Sequence, residues 1–266
     1  MKQLTREEVR EVQMNALESL AQFCSENSLK LSIACGTLIG AVRHKGYIPW
    51  DDDIDVYMPR EDYMKLEKLL PELYNETYKL ASIYRTSEWH LSFAKFYDIR
   101  TVTKAEGRET VPYGVFVDVF PVDDVPDDMD SFKRYKKYLG AIRFFLSNTR
   151  KPTNEMNIIK RLFINIHHFF IRLIPNQKLV LFRERINQKY NNKGYTNCYA
   201  NSYGPLQHNP FPKALFDDII FWDFENRKFP GFRNADLFLT LQYGNYMELP
   251  PENKRVHHSE IAYWRD

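Results

Sequence analysis

The chain has 266 residues, of which 44% are hydrophobic and 27% charged, and its formal net charge is +2. This length and apolar share suffice for one large domain or two small ones. The three cysteines, Cys24, Cys35 and Cys198, are too few and too scattered for a disulfide framework or a zinc site. The polar N-terminus predicts no signal peptide, and no apolar run reaches the roughly 18 residues of a membrane span, so we expect a cytoplasmic protein.

The first 42 residues predict a helix, a short strand and a second helix. Thr5 and Glu8 have the spacing of a capping box, and apolar residues then recur at helical spacing over 5–28. Residues 31–35 are predicted to form a strand that ends at Gly36 and Thr37, and 37–42 to form one or two helical turns. Backbone N–H groups at this helix start would favour an anion, and glycine would let a phosphate approach closely.

An acidic stretch follows, with four aspartates in five residues: Asp51, Asp52, Asp53 and Asp55. Side chains alternate along a strand, so Asp53 and Asp55 would share a face while Ile54 points into a core. Asp51 joins that face if the extended conformation reaches back to it. Carboxylates this close stay ionised only with positive charge between them, which a hard cation such as Mg²⁺ supplies.

Two other interpretations of the acidic stretch are weaker. A polar turn with its acids in water does not fit the alternation with Ile54 and Val56 or the glycine-rich lead-in. A calcium loop counted from Asp51 needs glycine at its sixth position, where Val56 stands, and would have Pro59 at its ninth.

The run from Gly36 to Asp55 is Gly-Thr-Leu-Ile-Gly-Ala-x-Arg-His-x-Gly-x-Ile-Pro-Trp-Asp-Asp-Asp-x-Asp. It closely resembles the signature of the LicD family, phosphotransferases related to the fukutin proteins within the nucleotidyltransferase superfamily. The resemblance implies metal-dependent transfer of a phosphorylated alcohol, such as phosphocholine, from a cytidine diphosphate donor to a glycan. It is strong over 31–63, fair over 91–125 and recognisable over 234–258.

Cations near these motifs are candidate phosphate ligands. Arg43 is one of them. His44 has two equally good interpretations, as a hydrogen-bond donor to phosphate or as a residue of the loop. A helix is predicted from Pro59 to about residue 70, and strands over 78–84 and 91–99. Lys95 stands in the second of these strands, where it is either a phosphate ligand or a lysine at a sheet edge.

The stretch 113–123 predicts another strand, with Asp118 on the face opposite Val115, Val117 and Val119. A lone carboxylate is costly to bury, so either a metal or a structural Arg or Lys is expected beside it. Superfamily members use a third carboxylate from a neighbouring strand, and Asp118 fits that part. Asp123 and Asp124 are predicted to lie in a turn.

Residues 130–192 form a predicted basic helical subregion, with helices over 130–146, 155–173 and 177–190. Residues 133–193 carry 15 Lys and Arg but only 2 Asp and Glu. This asymmetry predicts a basic face toward an anionic partner, such as an anionic membrane surface. A buried helix with a basic outer edge is the alternative for 158–174. The region lacks a nucleic-acid reader motif, so no nucleic acid partner is expected.

The C-terminal part predicts a short amphipathic helix over 234–243. The pattern from Tyr243 to His258 also resembles the family. Under that resemblance Lys254, Arg255 and His257 would reach the donor diphosphate, with a solvated tail as the alternative.

These observations predict a single catalytic domain over 1–266 of the α+β class, with a nucleotidyltransferase-like mixed β-sheet flanked by helices and a helical addition. Asp53, Asp55 and Asp118 would be catalytic and would hold Mg²⁺, or Mn²⁺, with Asp51 as a further ligand. The predicted substrate-binding residues are Gly36, Thr37, Arg43, His44, Lys95, Lys254, Arg255 and His257.

The expected reaction moves a phospho-alcohol, phosphocholine first, from a CDP-alcohol to a hydroxyl of a cell-surface glycan precursor of the teichoic acid or capsule type. CMP would leave, and the enzyme would work at the inner membrane face as a peripheral protein on a lipid-linked acceptor. Two alternatives stay open: transfer of a nucleotide from an NTP with release of pyrophosphate, and a non-catalytic polyanion-binding module.

Overall fold

A computed structural model describes residues 1–87, 89–105, 113–146, 158–201, 209–255 and 260–266. Its helices are α1 (Arg6–Glu26), α2 (Cys35–Arg43), α3 (Arg60–Leu69), α4 (Met129–Leu146), α5 (Ile158–Arg172), α6 (Asn176–Asn187) and α7 (Ala235–Tyr243). Its strands are β1 (Ser32–Ile33), β2 (Asp55–Pro59), β3 (Tyr78–Ala81), β4 (Ala94–Asp98), β5 (Thr101–Ala105), β6 (Phe116–Val125), β7 (Asn197–Tyr199), β8 (Phe211–Pro212), β9 (Ile219–Phe224), β10 (Arg227–Phe232) and β11 (Glu260–Trp264).

The central sheet has the strand order β1-β2-β6-β4-β3, and β7 and β8 extend it from the end of β6. β2 and β6 are parallel, whereas β1 with β2, β4 with β6 and β3 with β4 are antiparallel. Every residue of β6 is buried, as expected for a strand with neighbours on both sides. The sheet is therefore mixed, and the predicted α+β class is confirmed.

Helix α1 begins where the sequence predicts. The Thr5 hydroxyl accepts the Glu8 N–H, and the Glu8 carboxylate accepts the Thr5 N–H at 2.8 Å, which completes the capping box. The helix buries Ala16, Leu17 and Leu20, which recur at helical spacing, in the main core. It packs against β4 and β6 and so covers one face of the sheet.

Several predicted boundaries are wrong for physical reasons. The strand over 31–35 stops at Ile33, because Cys35 adopts a φ of +48° and begins α2. Asp123 and Asp124 do not form a turn but continue β6, where they pair with Tyr199 and Cys198 of β7. The pairing of β5 with β11 was not predicted, because its partners lie far apart in the sequence.

The basic subregion consists of α4, α5 and α6. Phe132 and Leu139 of α4 pack with Val125 and Tyr199, and α6 is tied to the sheet by Glu184, which accepts from Arg60 at 2.6 Å. No described side chain of α5 is buried. Across the described ranges, no helix is both long and apolar enough for a membrane crossing.

Candidate active site

Side chains of α1 form hydrogen bonds to the backbone of the acidic loop that precedes β2. The Gln13 side chain donates to the Asp52 carbonyl at 2.7 Å, and Arg6 donates to the carbonyls of Pro49 at 2.7 Å and Asp51 at 3.2 Å. The Tyr47 hydroxyl donates to Gln13 Oε1 at 2.9 Å. These bonds fix the loop backbone, so its aspartate side chains start from defined positions.

The aspartates converge at one end of the sheet. Asp51, Asp52 and Asp53 each offer a carboxylate oxygen, and these oxygens lie within 4.8 Å of one another. Asp55 begins β2, and its Cα pairs in register with that of Asp118 on the parallel strand β6. Neighbouring residues in register put their side chains on the same face of a sheet. Asp52 belongs to this cluster, although the alternation argument had left it out.

The pKa values of two aspartates indicate that the cluster has too little positive charge nearby to offset the repulsion between its carboxylates. Burial and then repulsion from Asp53 raise the pKa of Asp51 to about 8. Burial, followed by repulsion from Asp53 and Asp118, also raises the pKa of Asp55 well above its usual range. Without a cation the surroundings therefore favour the protonated form of both carboxyls, whereas a divalent cation would favour their ionised form.

Gly36 at the start of α2 makes room for this cluster. A Cβ atom built on Gly36 would overlap Oδ2 of Asp51. Within the described part of the chain, the N-cap residue, Ala34, makes no side-chain cap hydrogen bond, and the first turn of α2 lies against the acidic loop at Gly36. An oxygen-rich donor set beside a glycine cradle fits Mg²⁺ or Mn²⁺ with a phosphate ligand.

The Thr37 side chain has a structural role beside the predicted phosphate seat. Its buried hydroxyl accepts the N–H of Asp55 at 2.9 Å, which links the first turn of α2 to the first residue of β2. The side chain therefore positions Asp55, while a role of its backbone in phosphate binding stays a prediction.

Lys95 is the positive partner of Asp118. Its Nζ lies 2.6 Å from Asp118 Oδ1 and 3.2 Å from the centroid of the Phe116 ring, and both charged side chains are buried. The interpretation of Asp118 as paired to a structural lysine thus describes the structure. It coexists with the metal interpretation, because Asp118 also faces Asp55. Binding of substrate by Lys95 stays a prediction.

Arg43 and His44 lie at the other end of α2, about 10 Å along the helix axis from Gly36. The Arg43 guanidinium donates to the carbonyls of Tyr246 and Glu248, which favours a structural role over phosphate binding. Burial and then the charge of Arg43 lower the pKa of His44, so these surroundings favour its neutral imidazole. Neither residue is brought beside the aspartates.

The C-terminal segment reaches the acidic loop through Arg255. Its guanidinium stacks 4.7 Å from the ring of Trp50, the residue before Asp51. The structure thus places Arg255, one of the residues predicted to bind the donor diphosphate, next to the acidic loop. The Lys254 side chain and His257 lie outside the described part of the chain, so their predicted role is unchanged.

Sequence reasoning missed the supports of the acidic loop. Gln13 is buried in α1, and Glu225 accepts the Tyr47 N–H at 3.0 Å from the turn between β9 and β10. A glutamine amid the apolar positions of α1 was a local signal for Gln13. No local signal marks Glu225, which meets the loop only through the tertiary fold.

Adjacent strands of a mixed sheet thus carry carboxylates beside a helix start, which is the arrangement that the nucleotidyltransferase resemblance implies. A family model described as LicD/FKTN/FKRP, nucleotidyltransferase domain, matches residues 28–163. The chain is also 32% identical to the lipopolysaccharide cholinephosphotransferase LicD of Haemophilus influenzae, over 269 residues and 99% of both chains. The chain therefore belongs to the LicD family, and its predicted class, a LicD-type transferase, is confirmed.

Two shorter matches concern uncharacterised proteins. One from Rickettsia prowazekii is 45% identical over 51 residues, which is 19% of each chain. One from Rickettsia typhi is 39% identical over 59 residues, 22% of this chain and 19% of the other. Neither adds a statement about activity.

Proposed function

We propose that this protein transfers phosphocholine, or a closely related phospho-alcohol, from a CDP-alcohol to a hydroxyl of a cell-surface glycan precursor and releases CMP. The observation that carries the proposal is the carboxylate cluster of Asp51, Asp53, Asp55 and Asp118 beside the start of α2. Full-length similarity to a lipopolysaccharide cholinephosphotransferase supports the transferred group. The donor and a glycan of the teichoic acid or capsule type come from the family resemblance.

The cluster would hold one or two Mg²⁺ ions, with Mn²⁺ as a substitute. Asp53 and Asp55 are the first candidates as ligands, Asp51 and Asp118 extend the set, and Asp52 lies close enough to join it. Bound there, the metal would neutralise phosphate charge and orient the attacking and leaving oxygens. The raised pKa values of Asp51 and Asp55 support this role, because repulsion between the carboxyls contributes to both shifts and a bound divalent cation would offset that repulsion.

Other groups of the chain would orient the substrates. Phosphoryl transfer depends mainly on positioning and on neutralisation of charge. The backbone N–H groups at the start of α2 would bind the donor diphosphate, and Arg255, stacked on Trp50, would supply a cation beside the acidic loop. Lys95 orients the Asp118 carboxylate, which is the candidate to accept the proton of the attacking hydroxyl.

The direct test is to incubate the protein with Mg²⁺ and a lipid-linked glycan fraction. CDP-choline, CDP-glycerol and CDP-ribitol are supplied in turn, and release of CMP is followed. We expect CMP from CDP-choline and its loss with EDTA or with Asp53→Ala and Asp55→Ala. Asp223→Ala is the matched control, because Asp223 is an exposed carboxylate on β9 that pairs with Lys228 at 2.6 Å.

Other outcomes separate the remaining alternatives. Pyrophosphate release from an NTP, with no CMP from any CDP-alcohol, would replace the proposal with nucleotide transfer at the same site. Intact polyanion binding in Asp53→Ala, with no turnover by the unmodified protein, would favour a non-catalytic binding module. Full activity of Asp118→Asn would remove Asp118 as the proton acceptor and leave the rest of the proposal standing.

We further propose that the enzyme works in the cytoplasm as a peripheral protein at the inner membrane face. A lipid-linked acceptor would be presented there, and the excess of Lys and Arg over 133–193 supports an anionic surface as the site of attachment.

A further inference from the structure

Helix α5 and the residue that follows it, Leu173, expose a continuous apolar stripe. Its members are 47% to 67% exposed and recur at intervals of four, three, one and three residues: Leu162, Ile166, Phe169, Phe170 and Leu173. At 100° per residue these positions lie on one face of the helix. Together they expose on the order of 500 Å² of apolar surface, as much as the largest patch on a typical monomer.

This stripe is not the inner face of a packed helix. A helix that packs on a core buries its apolar side, as α1 does with Leu17 and Leu20. In α5 the apolar residues Leu162, Ile166, Phe169 and Phe170 are instead exposed, and the rings of Phe169 and Phe170 contact each other in a T-shaped pair at 5.6 Å. The face therefore needs a partner outside the described core.

The charged residues around the stripe indicate what kind of partner would bind it. The sequence has no Asp or Glu from 156 to 183 and has Lys160, Arg161 and Arg172 at helix positions off the stripe. Exposed basic side chains continue on the neighbouring helices, with Lys133 and Lys137 on α4 and Arg185 on α6. Apolar residues on one face and Lys or Arg on the flanks are the features of a helix that lies in the interface of an anionic bilayer.

A further exposed phenylalanine, on α6, extends this pattern. On α6, Lys178, Phe182 and Arg185 are all exposed and follow one another at intervals of four and three residues, so that they share a face. An aromatic ring between two cations suits the boundary between headgroups and acyl chains, where the ring enters the apolar layer and the cations meet phosphates.

We infer that α5 is a membrane-docking helix, which lies in the plane of an anionic lipid surface with Leu162, Ile166, Phe169, Phe170 and Leu173 in the acyl boundary. The helix is 15 residues long, too short for a bilayer crossing, so it lies on the surface. The inference names the surface that the proposed peripheral location would use. Lipid binding needs neither donor nor metal, so a failure here and a failure of the proposed transfer can be told apart.

The test measures co-sedimentation of the full chain with phosphatidylcholine vesicles that contain or lack phosphatidylglycerol, at low and high salt, in EDTA. We expect binding to the anionic vesicles, with a marked loss at high salt because the cationic contribution is screened. The double variant Phe169→Ser/Phe170→Ser should lower the partition coefficient by about tenfold or more. Its folding is checked by thermal unfolding.

Phe221→Ser is the matched control, because Phe221 is 66% exposed but lies on β9, away from the basic subregion. We expect it to bind vesicles like the unmodified protein. Equal vesicle binding by the double variant and the unmodified protein would overturn the inference. Binding that depends neither on phosphatidylglycerol nor on salt concentration would overturn it as well. A dimer in solution that the double variant dissociates, with no vesicle binding, would instead assign the stripe to a contact between two copies.

Discussion

At the scale of single residues, Gly36 and Asp51 show how closely the acidic site is packed. The Asp51 carboxylate occupies the space that a Cβ at position 36 would need. Glycine at position 36 therefore makes room for the approach of a side chain, since the backbone there is helical and would itself accept alanine.

Gly36→Ala tests this packing. The added methyl group should displace the Asp51 carboxylate and weaken Mg²⁺ or Mn²⁺ binding by roughly 10- to 100-fold, the usual cost of losing a support around a metal ligand. Stability in EDTA should change by no more than about 1 kcal/mol, because alanine favours helix. Isothermal titration calorimetry and thermal unfolding measure the two effects separately.

Gly194→Ala is the opposite control for this substitution. Gly194 has a φ of +82° and nothing within 4 Å of its would-be Cβ, so alanine there strains the backbone without meeting a neighbour. It should lower stability by about 1 kcal/mol and leave metal binding unchanged. Unaltered metal affinity in Gly36→Ala would contradict the packing argument.

The raised pKa of Asp51 also predicts that the stability of the metal-free protein depends on pH. The pKa of its carboxyl rises from 3.8 to about 8, so between these values the folded state holds a proton that the unfolded state has lost. The free energy of unfolding should therefore fall as pH rises through this window. In Asp51→Asn this contribution is absent, so in EDTA its melting temperature should fall less between pH 5 and 8. A parallel decline in both proteins would refute the assignment.

At the scale of elements, local patterns predicted those parts whose signal lies within one segment. The capping box at Thr5 and the helical spacing after it predict α1, and the acidic start after Pro59 predicts α3. The end of β6 was missed, because two adjacent aspartates before a proline usually indicate a turn. Asp123 stays in a strand because its buried carboxylate accepts from Arg60 and, at 2.7 Å, from the Asn191 side chain, and both partners are distant in the sequence.

This interaction joins three elements. Arg60 at the start of α3 donates to both carboxylate oxygens of Asp123 on β6, at 2.8 and 2.7 Å, and to Glu184 on α6 at 2.6 Å. All three side chains are buried. The chain thereby fixes the basic subregion to the same strand that carries Asp118.

Arg60→Met should cost about 3–5 kcal/mol in the free energy of unfolding, because it leaves two buried carboxylates without their cation. Urea denaturation measures the loss. Arg233→Met is the control, since its ion pair with Asp218 at 2.7 Å is exposed and should be worth at most about 1 kcal/mol. Similar losses in both variants would mean that the buried network contributes no more than a surface pair.

At the scale of the whole molecule, the candidate site combines one local motif with contacts that the sequence does not reveal. The motif from Gly36 to Asp55 predicted the aspartates and the glycine cradle, since these lie within 20 residues of one another. The pairing of Lys95 with Asp118 and the stacking of Arg255 on Trp50 depend on strand register and on the path of the C-terminal segment. Register and path are tertiary properties, which the pattern of one segment does not fix.

The acidic groups proposed to serve the function also lower the stability of the metal-free fold. Without a cation, Asp53 raises the pKa of both Asp51 and Asp55 by repulsion, so the fold bears the cost of keeping these charges together. Functional sites commonly retain such destabilising groups. A metal that binds only the folded state would reverse this cost by mass action.

Asp53→Asn should therefore reverse the order of stabilities. In EDTA the variant should melt at a higher temperature than the unmodified protein, because repulsion on Asp51 and Asp55 is relieved. With Mg²⁺ at about 100 times its dissociation constant the unmodified protein should gain about 2.7 kcal/mol, while the variant gains much less. Asp223→Asn, on the exposed strand β9, should follow the unmodified protein in both conditions. Equal stabilisation of Asp53→Asn by Mg²⁺ would show that the acidic cluster is not where the metal binds.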